Sequence, residues 1–248
     1  MQYLILTLSG MLLGSFYNML IYRLPRQLKF AFNRSYCPQC EHTLNVVDLI
    51  PIFSYLSQLG KCRYCKKKIP VRYLLVELMT AALLIFLWVQ FGNTLNFYKY
   101  FLFLSGMLII FFADLETCII PDSINIGLLL SGLAFAFFTH DLKFNLIASA
   151  GGFFIFLIIS GLAYLYYKKE ALGGGDIKLG AAIGAFWGIK ITIISIYLSF
   201  IVGGIIAIGL ILAKIKKKTD YIPFAPAIIM ATIITLIYGE RIWRFYFG

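Results

Sequence analysis

The sequence predicts an all-α polytopic integral membrane protein of about eight transmembrane helices with one small cytoplasmic loop. Three observations predict it. Of 248 residues, 61% are hydrophobic and only 13% charged, which is far from the balance of an ordinary soluble domain. The apolar residues gather in stretches long enough to cross a bilayer as helices. The basic residues, which give a formal net charge of +11, fall mostly in alternate loops.

Along the chain, spans are expected at 4–22, 73–91, 98–113, 123–139, 145–167, 178–189, 191–213 and 225–239. The first does not read as a signal peptide. No Lys or Arg precedes it, its apolar run is too long, and no small-residue cleavage site follows. It is expected to stay in the mature protein. The sixth is short and glycine-rich. Gly180, Gly184 and Gly188 recur every four residues there, a small-residue stripe suited to close helix packing. Gly10 and Gly14 do the same in the first span.

With eight spans, the loops form two sets. One holds 17 of the 22 basic residues: ten from Arg23 to Arg72, then Lys168, Lys169, Lys178, Lys214, Lys216, Lys217 and Lys218. The other holds Lys99, Lys143, Lys190, Arg241 and Arg244. The positive-inside rule places the first set in the cytoplasm and both termini outside. Topology therefore accounts for the charge, and no nucleic-acid partner is expected.

Loop 23–72 is the sizeable segment outside the membrane. It carries Cys37-Pro-Gln-Cys40 and Cys62-Arg-Tyr-Cys65, separated by 21 residues. Two such knuckles read as a four-thiolate zinc site, because each tight turn aims two sulfurs at one ion. Four thiolates leave no open position, so the zinc is expected to be structural. His42 is then surplus. Cys118 lies elsewhere and lacks a histidine base, so a nucleophilic role is not expected.

The chemistry is expected from Asp114 and Asp176. Each lies where an apolar run meets a polar loop, at the cytoplasmic edge, 62 positions apart in sequence. An ionisable group at membrane depth is a functional candidate by default. Two carboxylates together can share a proton and activate water. Asp176 closes Gly173-Gly174-Gly175, where absent side chains permit close backbone approach. Pro121-Asp122 reads as a helix start, and Glu116 stands near Asp114. In the first half, Asn18 is expected to bond between helices and Arg23 to anchor at the interface. Glu77 is an acid inside the second span, expected to pair with Arg72 or Arg23 or to hold a cationic ligand.

These pieces resemble the bacterial type IV prepilin peptidases, aspartic peptidases of the GxGD type. The resemblance rests on Gly14-Ser-Phe-Tyr-Asn18 with Arg23-Leu-Pro25, Arg34-Ser-Tyr-Cys37-Pro-Gln-Cys40 and Asp48-Leu-Ile-Pro51. Gly60-Lys-Cys62-Arg-Tyr-Cys65 and Arg72-Tyr-Leu-Leu-Val-Glu77 follow. The second half adds Asp114-Leu-Glu116, Ile120-Pro-Asp122, Gly173-Gly-Gly-Asp176-Ile-Lys178 and Pro223-Phe-Ala-Pro226. The glycine–aspartate run is also similar to that of presenilin-type intramembrane proteases. Ala225 departs from the glycine common in the family.

The resemblance implies that Asp114 and Asp176 are catalytic. The implied substrates are type IV prepilins or pseudopilins, for pilus assembly, secretion or competence. The leader is cut at the cytoplasmic face of the bacterial inner membrane, and the new amine is methylated with S-adenosylmethionine. Residues 1–97, with the zinc loop, are expected to form the methyltransferase part and 98–248 the peptidase. Asn18, Arg23 and Glu77 are candidates for the methyl-donor site. Glu116, Asp122 and Gly173–Gly175 are expected near the peptide. A basic leader would be drawn by Glu41, Asp48, Glu77, Glu116, Asp122 or Glu170. Three other readings compete: a peptidase without methyl transfer, a transporter using intramembrane carboxylates, and a non-catalytic assembly factor. Transport sites usually lie at the midplane of repeated halves, which is not the pattern here. The oligomeric state is not legible.

Overall fold

The computed structural model describes residues 1–28, 34–168, 172–217 and 220–247. Lys29, Lys169, Glu170 and Lys218 lie outside them. The helices are α1 (Gln2–Arg23), α2 (Phe53–Ser57), α3 (Arg72–Phe91), α4 (Leu95–Thr117), α5 (Asp122–Phe138), α6 (Leu142–Tyr167), α7 (Gly174–Leu212) and α8 (Ala225–Phe247). Among the described residues there is no strand, only isolated bridges at Tyr36–Thr43 and Lys61–Lys68. Among the described residues, six helices are long and apolar enough to span: α1, α3, α4, α6, α7 and α8; α5 is a shorter apolar helix. The chain forms two compact units, Met1–Phe112 and Ala113–Gly248, dividing inside α4.

In the first unit α1 packs on α3. A methyl group on Gly10 would stand 2.5 Å from Ala81 Cα, and one on Gly14 would stand 2.6 Å from Glu77 Cα. These glycines thus bring two backbones together, as the stripe predicts. Asn18 Nδ2 donates to Tyr73 O at 2.9 Å, the expected interhelical bond. Leu84, Leu87 and Phe97 form a core that Leu6, Trp88 and Phe101 cover.

The second unit is built around α7. Gly188 interrupts that helix with φ 74° and ψ −176°. Gly152 on α6 touches both Gly180 and Thr192, which would be about 18 Å apart along a straight helix. The chain therefore doubles back at Gly188, and the two arms correspond to the spans expected at 178–189 and 191–213. Gly188 is thus a turn, not a member of the packing stripe: its positive φ favours a residue without Cβ.

The first arm, 174–187, is about 21 Å long, short of the roughly 30 Å hydrocarbon core. It survives because protein surrounds it. Leu179, Ala182, Ile183, Ala185 and Phe186 are fully buried, with α5, α6 and α8 packed on α7. Asn145 Nδ2 donates to Ala185 O at 2.9 Å, satisfying a carbonyl near the arm's end.

Several helix ends extend past the expected spans, among them the two that carry the aspartates. α4 continues to Thr117 and α7 starts at Gly174. Apolar length marks only the part of a helix in hydrocarbon, whereas backbone bonding continues into the interface. Asp114 and Asp176 therefore sit within helical turns rather than in loops.

A methyl on Gly184 would overlap the backbone of Ala148 and Ser149, whereas Gly161 and Gly204 face open space. Gly184→Ala should destabilise by about 1–3 kcal/mol through overpacking. Gly204→Ala should be neutral or mildly stabilising. Thermal unfolding in detergent measures both, and equal melting temperatures would refute the packing.

Candidate functional site

Four helix ends of the second unit converge on the aspartates. Asp114 lies in the last turn of α4 and is 2% exposed, and Asp176 lies in the first turn of α7 at 3%. The two carboxyls lie within electrostatic range of one another. Asp114 Oδ2 accepts the Ala225 N–H at the start of α8, 3.1 Å away. The contact is made by the backbone N–H of residue 225, so it does not depend on the side chain there.

Asp176 Oδ2 accepts the Gly173 N–H at 3.1 Å, capping its own helix. Capping alone would suit an exposed residue. Here the other oxygen, Oδ1, is buried with no protein partner among the described residues. A buried carboxylate with a spare acceptor can hold and deprotonate a small donor such as water.

Of the three glycines only Gly174 faces open space. A methyl on Gly175 would meet Ile120 Cβ at 2.8 Å, and one on Gly173 would sit 3.4 Å from Asp176 Oδ2. None of them has positive φ. The run serves close packing at Gly175 and leaves room for approach at Gly174. Asp122 opens α5 as expected, and its carboxylate pairs with Lys178 Nζ at 2.6 Å on the exposed rim. Glu116 is also exposed, so neither shares the buried site. Cys118 caps α4, donating its N–H to Asp114 O at 2.8 Å. Burial and then the Asp114 charge push its thiol upward, which disfavours the reactive thiolate.

Two contributors were missed from sequence: the Ala225 N–H, and Asn125. Asn125 Nδ2 donates to Gly175 O at 3.0 Å. The available signal was a lone amide in the apolar run after Asp122.

In the first unit the four cysteines form one cluster, with their sulfurs all within 4.8 Å of one another. Cys37 Sγ and Cys65 Sγ are 3.9 Å apart, close to the ~3.8 Å edge of a tetrahedral zinc–thiolate site and too far for a disulfide. The two knuckles repeat each other. Cys37 N–H donates to His42 O and Cys62 N–H to Lys67 O. Glu41 and Lys66, the residues after each second cysteine, both adopt positive φ. The donor set fits zinc. The His42 ring lies against that of Tyr64, with centroids 3.7 Å apart and planes tilted by 35°, and is not part of the cluster.

Glu77 is buried, and its Oε2 accepts the Ile52 N–H at 2.7 Å, with Ser15 as a second partner. Ile52 has φ 62° and ψ −51°, and Phe53 N–H bonds back to Pro51 O at 2.6 Å. This is a strained, positive-φ γ-turn at a β-branched residue, held by a buried carboxylate. Sequence reasoning missed it because 25 residues separate the partners. Arg23 departs from the expected interfacial anchor. It is 5% exposed, donates to Arg34 O at 3.2 Å and lies 6.0 Å from the Tyr36 ring centroid. The loop folds over it, so the guanidinium serves the Arg34 carbonyl and faces the Tyr36 ring.

Comparison with known proteins fits this arrangement. The profile of the Bacterial Peptidase A24 N-terminal domain matches residues 8–91, and that of the Type IV leader peptidase family matches residues 101–208. A Bacillus subtilis protein named prepilin leader peptidase/N-methyltransferase is 35% identical over 98% of this chain and 96% of its own length. Proteins of the same name from Aeromonas hydrophila and Legionella pneumophila are each 31% identical, over 96% and 100% of this chain and 91% and 95% of their own lengths. No solved structure matches. With identity at this level along nearly its whole length, the chain belongs to the type IV leader peptidase family.

Proposed function

We propose that this chain is a membrane aspartic peptidase that removes the leader of type IV prepilins or pseudopilins and then methylates the exposed N-terminus. The observation that carries the peptidase reading is the buried pair Asp114 and Asp176, each fixed by a backbone N–H. One carboxylate, ionised, takes a proton from a water held between them. The water oxygen attacks the scissile carbonyl, while the other carboxyl, protonated, donates to the carbonyl oxygen. Collapse breaks the C–N bond, and the proton passes to the leaving nitrogen. The apparent pKa values belong to the pair, so base and acid are not assigned. Glu116, Asp122 and Gly173–Gly175 flank the peptide path, with Gly174 the open position.

Methyl transfer is assigned to the N-terminal part, residues 1–97, and cleavage to 98–248. S-adenosylmethionine supplies an activated methyl group when bound, and Glu77, Asn18 and Arg23 are its proposed contacts. Cys37, Cys40, Cys62 and Cys65 hold a structural zinc that orders the loop. The protein resides in the bacterial inner membrane. We count the doubled α7 as two passes and α5 as one, which makes eight, with both termini outside and the active site at the cytoplasmic face; the distribution of basic loops supports this reading. Incubating the solubilised protein with a prepilin and S-adenosylmethionine tests both activities, because product mass reports leader loss and one added methyl together.

The Ile52–Glu77 bond favours a second reading, a peptidase without methyl transfer, because that carboxylate already has a structural partner. Glu77→Gln separates the two. The amide oxygen can still accept the Ile52 N–H, so the γ-turn survives while the charge is lost. Methylation of a pre-cleaved pilin should fall roughly tenfold or more, with cleavage nearly unchanged. Unaltered methylation would move the cofactor elsewhere, and equal loss of both activities would make Glu77 structural.

A further inference from the structure

We infer that Asn125 is a positioning residue for the peptidase reaction, holding the first turn of α7 so that Asp176 faces its partner carboxyl. The inference rests on the peptidase reading above. Asn125 is 1% exposed and lies near the start of α5. Its Nδ2 donates to the carbonyl of Gly175, the residue before Asp176. Ile120 fills the space where a Gly175 side chain would stand. The start of α5 and the turn before it thus grip one residue of α7, the first by a hydrogen bond and the second by a steric contact. The rim pair Asp122–Lys178 joins the same two helices, but both side chains are solvent-exposed and such pairs hold little.

Stability does not explain the amide. Asn125 Oδ1 is buried with no protein partner among the described residues, so the side chain carries a desolvation cost that leucine would avoid at similar volume. What leucine could not do is donate to Gly175 O. Among the described residues, the Asp176 carboxyl is hydrogen-bonded to its own helix, at Gly173 N–H. That bond fixes the carboxyl relative to α7. Packing holds the arm among α5, α6 and α8, and Asn125 adds a directional constraint at the turn that carries Asp176, in the low-dielectric interior where one hydrogen bond is strong. Small misplacement of a reacting group is costly to rate.

The test compares Asn125→Leu and Asn125→Asp with wild type in the full-length solubilised protein. For Asn125→Leu, kcat for prepilin cleavage should fall on the order of 10- to 100-fold with KM nearly unchanged. Asn125→Asp should be as poor or worse at neutral and alkaline pH, where an ionised carboxylate cannot donate to Gly175 O. It should recover towards wild type as pH falls, because a protonated carboxyl regains an O–H donor. Asp114, Asp122, Asp176 and Lys178 are present in all three proteins, so the difference between their pH profiles reports position 125. Neutralising a buried carboxylate would also relieve a packing defect, so Asn125→Leu, neutral and of similar volume but unable to donate, separates the two: a packing role would leave its kcat near wild type. The second readout needs no substrate: the infrared carboxyl band that Asp176→Asn removes should shift or broaden in Asn125→Leu. Wild-type protein that fails to cleave any prepilin would refute the peptidase reading, while the infrared band would still decide the positioning. Wild-type kcat in Asn125→Leu, or an unmoved band, would overturn the inference.

Discussion

Asp114→Asn and Asp176→Asn should each abolish leader cleavage, by roughly 10³-fold or more, while leaving the protein folded and inserted. The size follows from the role: removing either group removes half of a coupled acid–base device, and such devices contribute roughly 10²–10⁴-fold. The selectivity follows from the geometry. Asparagine is nearly isosteric, and its carbonyl can still accept the Ala225 N–H at position 114 or the Gly173 N–H at 176. Both helix-end contacts therefore persist, and unfolding is not the cause of the loss. The double variant should be no worse than either single one, because groups acting as a unit are not additive. Cleavage of a purified prepilin, followed by mass, measures this. A single variant cleaving near the wild-type rate would show that residue to be misassigned. Glu116 and Asp122 are poor substitutes, since one is exposed and the other is exposed and paired with Lys178. A scaffold or assembly factor would be indifferent to both substitutions.

Much of this was legible because it depends on local pattern. Apolar runs marked the helices, and a break near 190 was visible as a short glycine-rich span beside a longer one, although Gly188 itself read as part of the packing stripe rather than as the turn. Paired CxxC turns located the four-cysteine cluster, since four sulfurs at that spacing have few other uses. The aspartates stood out because acids are costly where they lie. What sequence hid was long-range: the Ala225 N–H reaching Asp114 across 111 residues, the Ile52 N–H on Glu77, and the burial of Arg23. Backbone donors leave no trace in residue type. A glycine run likewise cannot say which glycine faces space, and the answer, Gly174 rather than Gly175, depends on where Ile120 lands. Asn125 left a faint signal, one amide among apolar neighbours. Reading it required seeing Gly175 opposite.

Zinc removal should have the second large effect, confined to the first unit. One zinc per chain is expected, bound by Cys37, Cys40, Cys62 and Cys65. Replacing Cys37 and Cys40 together with serine should release it and open loop 23–72 to protease. The physical reason is the shortage of core. From Val46 to Leu59, Val46, Val47, Phe53, Leu56 and Leu59 are all exposed, so little apolar burial holds the segment. Structural zinc contributes about 10–16 kcal/mol in comparable small sites, more than such a loop can obtain otherwise. Protons compete for the same sulfurs. Burial raises the Cys62 thiol, but the N–H groups of Cys65 and Tyr64 and the neighbouring thiols outweigh it and bring it down to about 7. Cys40 accepts from His42, yet desolvation and the surrounding thiols carry it to about 11. The metal-free cluster is thus only partly ionised at neutral pH, zinc binding must displace protons, and acidification should drive the metal off. Metal analysis across a pH series, with limited proteolysis alongside, checks both statements. Finding no zinc while all four thiols are reduced would remove the metal from this account. Zinc loss without added protease sensitivity would show that the loop stands without it. Cleavage by the second unit should survive better than methyl transfer, because Glu77 holds the loop's γ-turn at Ile52 and the proposed donor site lies against that same loop.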